Sequence, residues 1–465
     1  MKKVFVFCIG GTGIRVMKSI TMLMASGMET NGYTIVPIIL DPHLDLEEKK
    51  NLHSLIESYK TVYDRTINNG TSSLNHLNGF FSSEMVTLGE LNNQLSDTQQ
   101  ATGSHEKFGS FINTASLGID NINNYLIRTL FSTKNLNSPL SVGFKGNPNV
   151  GTVVLGEMIE GADWFKAFKT HCEKDDRVFI ISSIFGGTGA SGYPLIEKKI
   201  RGSENEPAVK NVLMGAVTVL PYYGLKDAST SQSDIDSANF YTKTKAALAY
   251  YENNVLSDFL YYIGEKSLRQ VYENDEAKQD DKANFIELIA ATSLFDFLKR
   301  ERPTRTQYLS RAIEDDVNSL DLSSLGSGYK DVVKCVADYM LLRTLINILP
   351  KEAYFPLKKN RGFNDSFYKD SGFTSLVHFT NIFFKWYSEL SCNKRAFAPL
   401  HYDSVKRMNG WIKTLELEAK DDSYYILEMV KASNRDKTKD HSNKFRFFIQ
   451  FAYEAINKYT QKIFD

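Results

Sequence analysis

The sequence has few cysteines and no excess of charge of either sign. Its 4 cysteines, Cys8, Cys172, Cys335 and Cys392, stand far apart and form no CxxC pair. This spacing indicates reduced thiols in a cytoplasmic protein. The 55 Lys and Arg residues balance the 55 Asp and Glu residues, so the net charge provides no general attraction for nucleic acid or an anionic membrane.

Long hydrophobic runs are also missing. The apolar start at residues 4–9 is interrupted by Gly10-Gly11-Thr12-Gly13 and is too short for a signal peptide. No run approaches the roughly 20 apolar residues that a membrane helix needs. We therefore expect a soluble protein without a membrane segment. Its composition, 42% hydrophobic and 24% charged, is that of a globular chain large enough for two or three domains.

Short apolar runs alternate with helical patterns through the first part of the chain. Continuous runs rich in Val, Ile, Phe and Tyr suit strands that are covered on both faces of a parallel sheet. Strands are predicted at residues 4–8, 34–40, 178–184, 212–220 and 259–263, and helices at residues 14–25, 46–59, 152–169, 195–201 and 233–252. The alternation predicts an α/β fold, a doubly wound and mostly parallel sheet, over residues 1–280.

Three further regions differ from this alternation. Residues 70–140 are rich in Asn, Ser, Thr and Gly with one helical pattern at 119–131, which favours a solvated surface insertion over a functional one. Residues 284–298 are apolar nearly all round, which predicts a buried central helix within 281–302. Residues 303–465 predict a mainly helical C-terminal domain. Its helices are expected at residues 332–349, 374–390 and 444–463, with loops at 358–371 and 433–442.

The first candidate site is Gly10-Gly11-Thr12-Gly13, which lies between a predicted strand and a predicted helix. Glycines let the backbone approach an anion, and the helix start offers free N–H groups at the positive end of its dipole. The pattern fits a phosphate loop, a Rossmann dinucleotide loop or a structural turn. Asp41 ends the second strand. It would hold a ribose hydroxyl in a Rossmann fold, help hold hydrated Mg²⁺ beside a triphosphate, or cap the turn at Pro42.

A second glycine run favours a polyphosphate over a dinucleotide. Gly186-Gly187-Thr188-Gly189-Ala190 follows the third predicted strand and precedes another helix. A dinucleotide fold needs only one such loop, whereas two suggest a polyphosphate clasped between parallel strand ends. The Thr188 hydroxyl can donate a hydrogen bond to a phosphate oxygen.

A third glycine segment, residues 143–151, also lies directly before a helix. Lys145 can add positive charge beside a terminal phosphate, and the amides of Gly146 and Asn147 are expected to be exposed to it. Taken alone, the segment equally fits an ordinary turn at Asn147-Pro148.

The order and spacing of these motifs resemble the tubulin/FtsZ superfamily, in particular its bacterial tubulin-like proteins. The loop at Gly10 is similar to the first phosphate loop of that family, and Asp41 to its acidic second loop. Residues 143–151 are similar to the third loop, residues 186–189 to the GGGTGxG signature, and residues 215–221 to the sugar-side segment. The helix that begins near Asn284 resembles the central helix, whose early Asn or Asp reads guanine; a helix cap is the alternative role. The resemblance covers about residues 1–300.

The resemblance implies a GTP-binding protein that takes GTP/GDP with Mg²⁺, hydrolyses GTP and assembles head to tail into cytoplasmic filaments. The sequence departs from the family at Phe185, which replaces the first signature glycine. It also lacks an NxDxxD pattern after Arg300, so the catalytic acid is unassigned. Two alternatives remain open. One is a nucleotide-gated scaffold that binds GTP without hydrolysis and uses its C-terminal helical region as the surface for an unknown protein partner. The other is an NAD-dependent oxidoreductase that uses the first glycine loop and Asp41. The acids considered are Asp296, Glu301, Asp315 and Asp316.

Overall fold

The computed structural model of the 465-residue chain describes residues 1–43, 46–67, 79–93, 95, 106–118, 121–144, 146–225, 240–265, 270–272, 282–313, 329–352, 362–393, 397, 422–435 and 443–464. These residues form a six-stranded parallel sheet, a separate two-stranded parallel pair and many helices. The α/β prediction is therefore confirmed.

The strands of the main sheet are close to those predicted. They are β1 (Lys2–Ile9), β2 (Tyr33–Leu40), β3 (Arg177–Ser183), β4 (Leu213–Val219), β6 (Phe259–Glu265) and β8 (Gln307–Ile313), while β5 (Tyr223–Leu225) pairs with β7 (Gln270–Tyr272). The order across the main sheet is β2-β1-β3-β4-β6-β8, and every neighbouring pair is parallel.

Helices cover both faces of the sheet, as a doubly wound arrangement requires. The longer helices are α1 (Gly10–Ala25), α2 (Glu47–Thr66), α5 (Ile122–Leu130), α7 (Pro148–Ile159), α8 (Asp163–His171), α9 (Gly187–Arg201), α11 (Phe240–Asn254), α12 (Phe285–Lys299), α13 (Tyr329–Glu352), α15 (Ser371–Ser391), α16 (Asp422–Arg435) and α17 (Lys444–Phe464). One-turn helices are α3 (Leu88–Leu91), α4 (Phe108–Phe111), α6 (Thr133–Leu136), α10 (Pro207–Lys210) and α14 (Asp365–Tyr368).

Alternate side chains of each strand enter two separate cores. Val4 and Val6 of β1 pack with α1, α2 and α12, and the C-terminal helices α13, α15 and α17 belong to the same cluster. Phe5 and Phe7 point the other way and pack with α7, α8 and α9. The helices α1 and α9, which follow β1 and β3, therefore lie on opposite faces of the sheet.

Several predictions about secondary structure were wrong. A single helix was expected at residues 152–169, but the chain breaks between α7 and α8 at Gly161, whose φ of 73° suits glycine and not a continuing helix. Strand β8 lies in the region predicted to be helical. It is an edge strand with Tyr308 exposed, so it lacks the continuous apolar run of a central strand. The predicted loops at 358–371 and 433–442 contain α14 and the end of α16.

The predicted insertion at 70–140 is not a solvated excursion throughout. Phe80, Phe81 and Met85 are buried in the core beside α2 and α13. Met85 forms a parallel bridge with Ile35 at the outer edge of β2, and hydrogen bonds of 3.0 Å join Ile35 N to Glu84 O and Val86 N to Ile35 O. This short segment extends the sheet by one strand position beyond β2.

Candidate functional site

The candidate site lies where the parallel strands end. Three helices, α1, α7 and α9, begin at this edge. The glycine segments at Gly10 and Gly187 form the first turns of α1 and α9, and α7 starts directly after the third segment. None of the three has a side-chain cap or an acidic residue in its first turn. Their first N–H groups and positive dipole ends are consequently left for water or a bound anion.

The three glycine segments meet at one place. A Cβ atom added to Gly10 would lie 3.4 Å from Cβ of Thr188, and one added to Gly187 would lie 3.1 Å from the amide nitrogen of Gly146. A Cβ on Gly143 would lie 4.0 Å from Oγ1 of Thr188. The loops that the sequence places far apart therefore lie side by side. A Cβ at Gly10 or Gly143 would make an ordinary van der Waals contact with Thr188, whereas a Cβ at Gly187 would push its segment away from Gly146.

The meeting point coincides with a reversal in the strand order. With the segment at Met85 counted as a strand, the main sheet has seven positions and reads 3-2-1-4-5-6-7 in chain order. Its first six positions have the 3-2-1-4-5-6 order of doubly wound nucleotide-binding folds. From β1 the chain crosses to β2 on one side, and from β3 it crosses to β4 on the other side. These opposite directions open a crevice between the carboxyl ends of β1 and β3. Ligands of open α/β sheets bind in such a crevice.

Two glycines of the predicted site serve packing. A Cβ on Gly13 would lie 2.6 Å from the carbonyl carbon of Cys8, and one on Gly189 would lie 2.5 Å from the carbonyl oxygen of Ser183. These glycines let α1 and α9 start close against their own strands. The first turns of the two helices also contain Gly11, Thr12, Thr188 and Ala190, and Gly186 is the N-cap residue of α9.

The third glycine segment is arranged differently from the prediction. The amide of Asn147 was expected to be exposed, but its N–H donates to the carbonyl of Phe144 at 2.8 Å. Gly146 is buried, and its carbonyl accepts a hydrogen bond of 2.9 Å from Nζ of Lys243. Lys145 lies outside the described residues. Lys243 was missed by the sequence analysis because nothing in the local pattern of α11 connects it to a loop that lies 97 residues away.

Asp41 is buried at the carboxyl end of β2. Its Oδ1 accepts a hydrogen bond of 2.8 Å from the amide of His43. Burial raises the pKa of Asp41, against the opposing effects of that hydrogen bond and of the charges on Lys49 and Arg15. Burial also lowers the pKa of Lys49, which Asp41 partly offsets. An added cation beside Asp41 would favour its carboxylate form.

Asp41 provides a single carboxylate at this edge of the sheet. Among the residues that the structure describes, no group of three His, Cys, Asp or Glu side chains could enclose a metal ion. Magnesium commonly takes one or two protein carboxylates and completes its shell with water and substrate phosphates. A single carboxylate next to the uncapped helix starts is compatible with that use.

A buried ionic network lies directly behind the first glycine loop. Arg15 Nε donates to Oε1 of Glu287 at 2.8 Å, its NH1 pairs with Oε2 of Glu48 at 3.1 Å, and its NH2 donates to the hydroxyl of Tyr222 at 3.0 Å. Tyr222 in turn donates to Glu287 at 2.7 Å. A Cβ on Gly11 would lie 3.4 Å from both Arg15 NH1 and Glu48 Oε2. The network joins α1, α2, α12 and the segment after β4 beneath the loop.

Two carboxylates, Glu48 and Glu287, face the single guanidinium of Arg15 in this network. Burial lowers the pKa of Arg15, but Glu48, Tyr222 and Glu287 outweigh it and hold the pKa well above its ordinary value. The arginine therefore stays charged and keeps its partners. The role of Arg15 could not be predicted from the sequence, because its partners Glu48, Tyr222 and Glu287 stand 33, 207 and 272 residues away along the chain.

Asn284 starts α12 at the same edge of the sheet. Its Oδ1 accepts a hydrogen bond of 2.8 Å from the amide of Ile286, and Glu287 Oε2 accepts one of 2.9 Å from the amide of Asn284. Of its two interpretations, the helix cap is confirmed. Contact with a guanine base stays a prediction.

Two of the acids considered for catalysis, Asp296 and Glu301, lie at the opposite edge. Asp296, in the last turns of α12, is held by Arg300 and by the hydroxyl of Tyr261. Glu301 follows α12 and is exposed, next to Arg302, which pairs with Asp258 at 3.1 Å before β6. Asp315 and Asp316 lie outside the described residues.

No protein-family model matches this chain, and no curated protein is significantly similar to it in sequence. Within the described ranges, no helix is long and apolar enough to cross a membrane.

Proposed function

We propose that this chain is a tubulin/FtsZ-like protein that binds GTP or GDP with Mg²⁺ where its three glycine segments meet. The observation that carries the proposal is the contact of the segments at Gly10, Gly146 and Gly187 at the carboxyl edge of the sheet. A polyphosphate needs several N–H donors converging from different directions, and three helix starts without caps or acids supply them.

This arrangement favours a triphosphate over NAD. The 3-2-1-4-5-6 order of the first six strand positions is shared with dinucleotide-binding folds, so the sheet alone does not distinguish the two ligands. A dinucleotide places its pyrophosphate on one helix start, which would leave the starts of α7 and α9 without a ligand. The oxidoreductase alternative thus accounts for one of the three glycine segments.

The residues take the following roles in the proposal. Backbone amides of residues 10–13 and 186–190 hold the phosphates, and the Thr188 hydroxyl donates to one of their oxygens. Asp41 contributes to the magnesium shell, directly or through water, and Lys145 adds charge. Asn284 uses Oδ1 in its cap, so Nδ2 would be the group that contacts the base.

Hydrolysis in this proposal depends on a second copy of the chain. Glu301 lies at the edge opposite the glycine segments, where a head-to-tail neighbour would present it to the phosphates. Hydrolysis would need that group to position a water molecule. Because Asp296 is already held by Arg300 and Tyr261, a scaffold that binds GTP without turnover is the second candidate.

The test is the identity of the nucleotide released from freshly purified protein, followed by calorimetric titration of Mg²⁺–GTP. Guanine nucleotide is expected, and Thr188→Val should weaken binding by about tenfold to a hundredfold, because a hydrogen bond to a charged group is worth about 1.5–3 kcal/mol. Thr21→Val is the matched control, since the Thr21 hydroxyl is buried in α1 and donates to the Met17 carbonyl. Release of NAD, or an unchanged affinity in Thr188→Val, would overturn the proposal.

A further inference from the structure

Helix α5 presents an apolar side to solvent. Ile122, Tyr125, Leu126 and Leu130 form this side, the α5 stripe, and are 80%, 58%, 55% and 59% exposed. At about 3.6 residues per turn they fall within an arc of about 140° on the helix. They are 4 of the 12 large hydrophobic residues that are exposed in the described part of the chain, so a 9-residue helix carries a third of them. No residue of the proposed nucleotide site lies on α5.

The opposite side of α5 fixes its orientation. Asn124 is buried, its Nδ2 donates to the carbonyl of Gly118 at 3.2 Å, and its Oδ1 accepts from Nε of Arg128 at 2.9 Å. At the end of the helix Phe131 is buried against Phe108, with the ring centroids 4.8 Å apart. Rolling α5 over to bury the α5 stripe would break both hydrogen bonds and separate the two rings. The exposure of the stripe is therefore set by the packing behind it.

The spacing of the α5 stripe is self-complementary. Ile122 and Leu130 each lie four residues from Leu126. If two copies of α5 cross antiparallel at Leu126, this residue meets the partner's Leu126 and Ile122 meets the partner's Leu130, as a two-fold interface requires. The only charged side chain within α5 is Arg128, which is turned toward Asn124. No like charges would therefore face each other across the contact.

The area of the α5 stripe fits a small interface between two copies of the chain. The exposed fractions correspond to an apolar area on the order of 500 Å², in the upper part of the range for the largest patch on a monomer. Two copies would together bury about 1,000 Å², about the smallest area of a specific interface. A membrane surface is less favoured, because helices that lie on membranes carry several Lys and Arg residues on their polar side, whereas α5 has one Arg and no Lys.

We propose that two copies of this chain pair through their α5 stripes in an antiparallel, two-fold contact. The dimer is closed, because such a contact uses the same surface in both copies. It uses none of the residues proposed for nucleotide binding or for the head-to-tail contact, so it does not depend on the proposed function.

The test is sedimentation velocity of the full chain across a range of concentrations, without added nucleotide. An equilibrium between monomer and dimer that stops at the dimer is expected. Leu126→Asp should weaken dimerisation by about tenfold or more, because it sets two carboxylates against each other. The matched control is Leu427→Asp, which changes a leucine that is 45% exposed in α16 and should leave dimerisation unchanged.

Thermal melts check that the variants fold, and Ile122→Asp, at the most exposed position of the stripe, replaces Leu126→Asp if that variant does not. Unchanged dimerisation in the folded stripe variant, or a monomer at every concentration, would overturn the proposal. Binding to anionic vesicles by a chain that stays monomeric would identify a membrane surface as the partner instead.

A cysteine at the two-fold axis tests the register. The background is Cys392→Ser, which removes the exposed native thiol. In it, Leu126→Cys should link two chains by a disulfide when its two thiols lose two protons and two electrons to dissolved oxygen, whereas Leu427→Cys should not. Equal linkage of the two cysteine variants, or none, would overturn the two-fold arrangement.

Glu301→Lys distinguishes this contact from the head-to-tail contact of the proposed function. The dimer should persist in that variant with an unchanged dissociation constant, because Glu301 lies at the amino edge of the sheet and not on α5. Loss of the dimer in Glu301→Lys would assign the association to the edges of the sheet and overturn the pairing through α5.

Discussion

The two edges of the sheet are built from different parts of the chain. At the amino edge, charged side chains pair across elements. Lys3 meets Asp176 at 3.2 Å, and Asp258 meets both Arg201 and Arg302 at 3.1 Å. At the carboxyl edge, three glycine segments bring uncapped helix starts together. Side-chain ion pairs satisfy groups at the amino edge, whereas the first N–H groups of the uncapped helices at the carboxyl edge are left for water or, in the proposed function, for a phosphate.

The difference between the two edges shows how the proposed nucleotide site can be separate from the side-chain ion pairs that stabilise the fold. Charged side chains near the carboxyl edge are placed behind the loops, where Arg15, Glu48 and Glu287 tie three helices together. The surface of the crevice is then left to backbone amides, which carry fixed dipoles and need no rotamer ordering to receive an anion.

The largest expected effect is on GTP turnover and depends on contact between the two edges in neighbouring chains. If the amino edge of one chain completes the carboxyl edge of the next, GTP turnover per chain should rise steeply with protein concentration. Loss of about 3–4 kcal/mol of stabilisation of the transition state slows a reaction by two to three powers of ten, so isolated subunits should be nearly inactive. Phosphate release measured across protein concentration tests this.

The matching variant is Glu301→Lys, with Glu157→Lys as its control, because Glu157 is an exposed acid on α7. Only Glu301→Lys should abolish turnover while GTP still binds. Equal activity per chain at every concentration would remove the shared site and support the scaffold alternative.

A smaller effect is expected at the amino edge, where a substitution should change stability without changing GTP affinity. Asp258 Oδ2 accepts from the amide of Met214 at 2.8 Å as well as pairing with Arg201, and Oδ1 pairs with Arg302. Asp258→Ala should therefore lower the free energy of unfolding by about 2–3 kcal/mol, since hydrogen bonds to charged groups are the stronger ones. GTP affinity of the folded protein should be unchanged.

Urea unfolding of this variant is compared with Asp163→Ala. Asp163 pairs with Lys166 at 3.0 Å on the surface, where an ion pair contributes less than about 1 kcal/mol. Equal losses in the two variants, or weaker GTP binding in Asp258→Ala, would contradict the separation of the two edges.

Local signals explain what could be predicted from the sequence. Strands β1 to β4 are apolar runs that can be predicted without knowing which strands they pair with. The glycine segments can be recognised from their composition alone. The arrangement around Arg15 could not be predicted, because its geometry depends on partners up to 272 residues away. Strand β8 was missed because an edge strand with one exposed face has the composition of a loop or helix. The contact of Lys243 with Gly146 likewise exists only after distant segments have packed.

The smallest expected effect concerns Asn284, which lies where the fold and the site meet. Its side chain caps α12, so Asn284→Ala should lower the free energy of unfolding by about 1 kcal/mol. Asn364→Ala is the control, because Asn364 caps the short helix α14 through the amide of Phe367 at 3.1 Å and lies outside the proposed site.

If Nδ2 of Asn284 also contacts guanine, Asn284→Ala should weaken the affinity for GTP by up to about tenfold, the equivalent of about 1.4 kcal/mol. The ratio of GTP affinity to ATP affinity should then decrease. Thermal melts and paired titrations of GTP and ATP separate the two roles. A loss of stability with both nucleotide affinities unchanged would mean that Asn284 caps the helix and does not contact the base.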